Sequence, residues 1–156
     1  MTAQLVARRL VGTRQWRQWL LVTVEIVIAL NAVGGALYGL AGAEDVPRKW
    51  LEGTPFDSYL APSLILLVAV GGGMGAAAAA HLVNHRLAPE ISVAAGSTLM
   101  GWIVVQVLLI GPNGGVSWLQ PAMLVAGGLV AALGWQLRVA RAASGAPAHG
   151  GARGGS

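Results

Sequence analysis

The sequence predicts an all-α integral membrane protein, an up-and-down bundle of four transmembrane helices. Four apolar runs, at about residues 19–41, 60–82, 93–111 and 118–137, are the first reason. Each is close to the ~20 residues a helix needs to cross a hydrocarbon core about 30 Å thick. Composition is the second. Hydrophobic residues make up 55% of the 156-residue chain and charged residues 10%, whereas soluble domains carry about 25% charged residues. The apolar residues form unbroken runs instead of period-2 or period-3.6 stripes, so the helices are apolar all round. Third, the cations are sorted. Eight of the ten Lys and Arg residues fall in the two terminal segments and the middle loop, and two in the first loop. The positive-inside rule then puts both termini and the middle loop in the cytoplasm, with one fixed orientation.

Residues 1–18 form a basic cytoplasmic segment with Arg8, Arg9, Arg14 and Arg17 and no acid. With the run that follows and Ala41-Gly42-Ala43, this segment imitates a cleavable signal peptide. Signal cores are only about 7–15 residues long, and this run is longer and contains Glu25 and Asn31, so it reads as a retained span. The first external loop, about residues 42–58, has mixed charge. In it Pro47 opens a short helical turn through Glu52, ended by Gly53, with Trp50 at the headgroup level. The loops at Asn84–Ile91 and Pro112–Ser117 are short, which forces neighbouring spans to run antiparallel. The four spans and their loops make a transmembrane domain over residues 19–141. Residues 142–156, rich in Gly, Ala and Ser, cannot bury enough surface to order themselves and read as a disordered tail.

Ser58-Tyr-Leu-Ala-Pro62 at the start of the second span is echoed by Ser117-Trp-Leu-Gln-Pro121 at the start of the fourth. Two readings fit: a pair of related hairpins, or two helices that enter from the same side and need the same serine cap, interfacial aromatic and first-turn proline.

Glu25 is the costliest residue in the chain. It lies about six residues inside the first span, roughly 9 Å deep at 1.5 Å per residue. An acid near a span's centre costs ~2.5–3.5 kcal/mol on insertion scales. The eleven Leu, Ile and Val residues of the same span outweigh that cost. Ala29, Ala32, Ala36 and Gly39 share its helical face, so Glu25 points into the bundle. Ser97 and Thr98 on the third span, and His81 on the second, are its candidate partners. Such a site either carries a proton or fastens helices as a protonated acid.

Asn31, Gln106, Gln120 and Tyr59 form a second, uncharged set towards the outer side, with helix fastening or ligand contact as alternatives. The outer mouth beneath the first loop is where a lipid or small apolar ligand would bind. His81 and His85 are spaced for one helix face, but zinc normally takes a third protein ligand. No metal and no cofactor is expected. Gly35-x-x-x-Gly39, Gly71-x-x-x-Gly75 and Gly127-Gly128 suit close helix approach or self-association.

With no cysteine there is no thiol chemistry. The high sequence pI of about 10.7 reflects cations beside helix ends, where lipid explains them better than nucleic acid. No catalytic motif is present, and the chain is not expected to be an enzyme.

Gly53-Thr-Pro-Phe-Asp-Ser-Tyr-Leu-Ala-Pro62, Trp102-Ile-Val-Val-Gln-Val-Leu-Leu-Ile-Gly111 and Trp118-Leu-Gln-Pro121 together resemble short four-span membrane proteins of bacteria, especially high-GC ones. The resemblance covers about residues 20–137 and implies the fold without implying an activity or a catalytic residue. With small multidrug exporters the chain shares only helix number and one membrane acid, and with the DoxX-like group only architecture. The function expected is that of a non-enzymatic membrane component in contact with lipid, assembling with itself or with a membrane-protein partner. A small proton-coupled transporter using Glu25 is the alternative.

Overall fold

The computed structural model describes residues 2–114 and 118–145, and these are helical without a strand. Helix α1 (Thr2–Leu40) is followed by a 3-10 turn at Arg48–Leu51. The second span combines α2 (Leu60–Ile65), a π-helical stretch (Leu66–Gly72) and α3 (Gly73–Leu82). Helices α4 (Ala88–Gly114) and α5 (Leu119–Gly145) complete the chain. Four helical segments are long and apolar enough to cross a membrane: Gln15–Leu40, Leu60–Leu82, Ala88–Leu109 and Leu119–Ser144.

Element ends depart from expectation in informative ways. Helix α1 continues back through the basic segment to Thr2. The expected short helical turn forms after Pro47 as a 3-10 turn that ends at Leu51, one residue before Glu52, with Gly53 in the left-handed region at φ 81°. The second span is not a uniform α-helix: widened π turns occupy its middle and include Gly71 and Gly72 of the triple glycine, residues that hold α geometry weakly. Helix α3 stops at Leu82 because Asn84 turns left-handed at φ 52°, letting the His85 N–H reach the Ala80 carbonyl at 2.8 Å. Helix α4 starts at Ala88, earlier than the loop expected through Ile91. Pro89 needs no N–H partner in a first turn, and Glu90 suits the positive helix end. Helix α5 extends past Leu137 to Gly145, so it carries Arg138 and Arg141 and also takes in residues 142–145, the start of the expected disordered tail. The first half of the turn expected at Pro112–Ser117 gives way to the end of α4, and residues 115–117 lie outside the described residues, as does the rest of the expected tail from residue 146.

Around the bundle, α1 packs on the second span, the second span on α4, α4 on α5, and α5 back on α1. Helices α1 and α4 therefore face each other diagonally. Leu21, Ile28, Met74, Leu99 and Val130 fill the space between. The outer surface is as apolar as the core: Val68, Leu108 and Val125 are each at least 70% exposed. Water would oppose so large an apolar surface, and hydrocarbon accepts it. Helices α4 and α5 approach closely at three glycines. A Cβ on Gly96 would come within 2.6 Å of the Gly127 carbonyl oxygen, and one on Gly134 within 2.9 Å of that of Pro89.

The cations define one end of the bundle. Arg138 Nε lies 3.6 Å from Glu90 Oε1, and Arg141 donates to the Arg86 carbonyl at 3.1 Å. We call this the basic end, and the opposite one, closed by residues 41–59, the loop end.

Candidate functional site: a buried polar chain and a cavity at the loop end

Near the basic end, three helical segments each send one polar side chain into the core. Glu25 on α1 and Ser92 on α4 are fully buried, and His81 on α3 is 1% exposed. The Ser92 hydroxyl donates to Glu25 Oε1 at 2.6 Å. It also lies 2.9 Å from His81 Nε2 and 3.1 Å from the Ala88 carbonyl oxygen. Glu25 thus reaches across the bundle diagonal, and Ser92 joins it to the histidine. Two atoms of this chain, Glu25 Oε2 and His81 Nδ1, are buried without a hydrogen-bond partner. Groups at this depth normally have one, because an unmet buried donor or acceptor costs about 1–3 kcal/mol.

The hydroxyl that meets Glu25 is not the one expected. Ser97 and Thr98 are exposed and turned to the outer surface of α4, so neither partners the acid. Ser92 sits five residues before Ser97, and a helix turning 100° per residue puts it on another face. His81 does join the site. His85 does not share its face: the helix has ended, His85 is exposed, and its Nδ1 accepts the Leu87 N–H at 3.2 Å. Among the described residues no three His, Asp or Glu side chains gather.

On its outer side His81 lines a cavity of about 230 Å³ at the basic end, together with Gln15, Gln18, Trp19, Leu82 and Asn84. Gln15, Trp19, Leu82 and Asn84 are exposed, so this vestibule reaches the surface.

At the loop end a larger cavity, about 320 Å³, lies beneath the first loop. Trp50, Leu51 and Phe56 of the loop roof it. Gly35, Leu66 and Val105 form walls, and Tyr59, Gln106 and Gln120 supply polar groups. Trp50, expected at the headgroup level, is half-buried as part of this roof. The Tyr59 hydroxyl holds the loop down by donating to the Pro47 carbonyl at 2.9 Å, and burial pushes its pKa above the ordinary phenol value. A second chamber of about 160 Å³ shares Gly35, Leu66, Gln106 and Gln120 with the first and continues inward past Asn31 to Ile28 and Val70. The four members of the expected outer polar set therefore border two neighbouring chambers, Tyr59 the larger, Asn31 the smaller, and Gln106 and Gln120 both. Trp102 lines the larger chamber, is 9% exposed, and its buried indole N–H has no partner in the chain.

Comparison with known proteins supplies no relative: no family model, no curated protein and no solved structure matches the chain. Its resemblance to short four-span bacterial proteins rests on the quoted motifs alone.

Proposed function

We propose that this membrane protein is a non-enzymatic component that holds an amphiphilic lipid beneath its first loop. In this reading it sits in a bacterial inner membrane with the basic end in the cytoplasm, and it assembles with itself or with a membrane-protein partner. The chamber at the loop end carries the proposal. Its volume of about 320 Å³ is at the low end of the ~300–1,000 Å³ of ligand pockets, which suits one acyl or prenyl chain and not a whole lipid. Its walls are apolar, and its polar groups are neutral amides and hydroxyls. Trp102, whose buried indole N–H has no partner in the chain, is among the lining residues.

Native mass spectrometry of the protein released from gentle detergent tests this. The wild type is expected to retain one lipid per chain. Val105→Trp, which fills the chamber from its exposed wall, should lose that lipid without losing the fold. Retention that is absent from the wild type, or equal in both proteins, sinks the reading.

A second reading, a small proton-coupled carrier, is supported by one observation. Glu25 stands about one helical turn from Ile28, at the foot of the inner chamber.

A further inference from the structure

We infer that the Glu25–Ser92–His81 chain is a proton-binding site, filled from the basic end through the vestibule that His81 lines. It rests on neither reading above, since a proton site serves a lipid-holding component and a carrier alike.

Proton counting around Ser92 leads to it. Its hydroxyl has one hydrogen and three neighbours: Glu25 Oε1 at 2.6 Å, His81 Nε2 at 2.9 Å and the Ala88 carbonyl oxygen at 3.1 Å. A carbonyl oxygen only accepts. With Glu25 ionised, the serine donates to the carboxylate, His81 Nε2–H donates to the serine, and the Ala88 contact goes unused. With Glu25 protonated, its O–H and the His81 N–H both donate to the serine oxygen, and the serine donates to Ala88. Every contact is then a hydrogen bond. One arrangement of heavy atoms thus holds Glu25 with or without its proton, and the change needs only a turn of the Ser92 hydroxyl.

The inferred route starts at the vestibule. His81 lines that space of about 230 Å³ with Gln15, Gln18 and Asn84, and its buried Nδ1 is without a partner. That space is far larger than the ~30 Å³ share of one liquid water. A proton from the aqueous phase binds Nδ1, the Nε2 proton passes to Ser92 Oγ, and the serine's own proton passes to Glu25 Oε1. No net charge is left on histidine or serine: the ring now carries its hydrogen on Nδ1, the serine donates to the bare Nε2, and the proton leaves by the same transfers in reverse. Among the residues whose side chains are described, the other ionisable groups at this end are Arg17 on α1, His85 and Arg86 in the turn, Glu90 on α4, and Arg138 and Arg141 on α5. Glu90 is paired with Arg138, and Arg141 with the carbonyls of His85 and Arg86. None has a hydrogen bond to a side chain of the cluster, and Arg141 acts on the imidazole only through its charge, so the proton reaches Glu25 through His81.

Difference infrared spectroscopy on the purified protein in lipid nanodiscs, from about pH 4 to pH 10, tests this. The expected result is a carboxylic-acid carbonyl band that disappears as pH rises, shifts with isotopically labelled glutamate, and is missing in Glu25→Gln. If Glu25→Gln does not fold, a chain carrying Glu44→Gln, Glu52→Gln and Glu90→Gln keeps Glu25 as its one glutamate and gives the same assignment. After a pH jump, both Ser92→Ala and His81→Phe should slow the appearance of the band about tenfold or more. A Glu25 band that is constant over the whole range, or no Glu25 band at all, overturns the site. Unchanged kinetics in both variants overturn the route.

Discussion

At the scale of single residues, position outweighs residue type. Ser92, Ser97 and Thr98 lie on one helix within two turns, yet only Ser92 is buried. Ser92→Ala leaves the 2.6 Å and 2.9 Å contacts to Glu25 and His81 empty. A membrane hydrogen bond averages only ~0.6 kcal/mol, but a buried acceptor left unmet costs about 1–3 kcal/mol. The second effect dominates here because there is no alternative partner nearby. Ser92→Ala is therefore expected to lower unfolding free energy by about 1–3 kcal/mol, read by denaturant titration in mixed micelles, while Ser97→Ala stays within about 0.5 kcal/mol. Equal losses in both variants would mean that the cluster does not hold the helices together. Glu25 and His81 were legible in the sequence because a membrane acid and a histidine near a span end are costly. Ser92 was not. A serine costs little in hydrocarbon, and the expected helix began one residue after it.

That shortfall belongs to the scale of elements. Drawing the middle loop through Ile91 ignored a first-turn signal present in Ala88-Pro89-Glu90, where proline and an acid both favour a helix start. The number of spans was legible from hydropathy alone. Where they touch was legible only in part, since hydropathy is silent about which glycines meet backbone. Gly127, singled out for its small-residue face, does pack closely, with a Cβ there 3.0 Å from the Gly96 carbonyl oxygen. Gly75 has open space, whereas Gly96 and Gly134, which belong to no Gly-x-x-x-Gly motif, meet backbone. Gly96→Ala forces a methyl within 2.6 Å of one backbone oxygen and 2.7 Å of the Ala131 nitrogen. Backbone cannot swing aside as a side chain does, so α4 and α5 must part, at about 1–3 kcal/mol. Gly101→Ala meets nothing within 4 Å and should gain up to about 1 kcal/mol from helix propensity. Opposite shifts of thermal midpoint in one detergent are the expected outcome. Two shifts of the same sign would show that the α4–α5 approach is looser than described.

For the whole molecule, the sorting of charge along the chain becomes a sorting between two ends. Arg86, Arg138 and Arg141 gather around one turn, while Glu44, Asp45, Arg48, Lys49 and Asp57 are exposed on the loop end. The two candidate sites divide the same way, with the polar chain by the cations and the apolar chamber beneath the mixed-charge loop. Orientation therefore decides which site faces the cytoplasm. Lys and Arg near span ends resist translocation far more than Asp and Glu do, so eight cations against two predict the basic end inside. The absence of cysteine makes a clean test, because any thiol introduced is the sole one. Asp57→Cys and Arg86→Cys replace exposed residues at opposite ends and leave both sites intact. In intact cells a membrane-impermeant thiol reagent should label Asp57→Cys and spare Arg86→Cys until the membrane is opened. The reverse pattern would turn the bundle over, and His81 would then draw its proton from outside the cell. Labelling of both in intact cells would mean two orientations coexist, which a bias this strong does not permit.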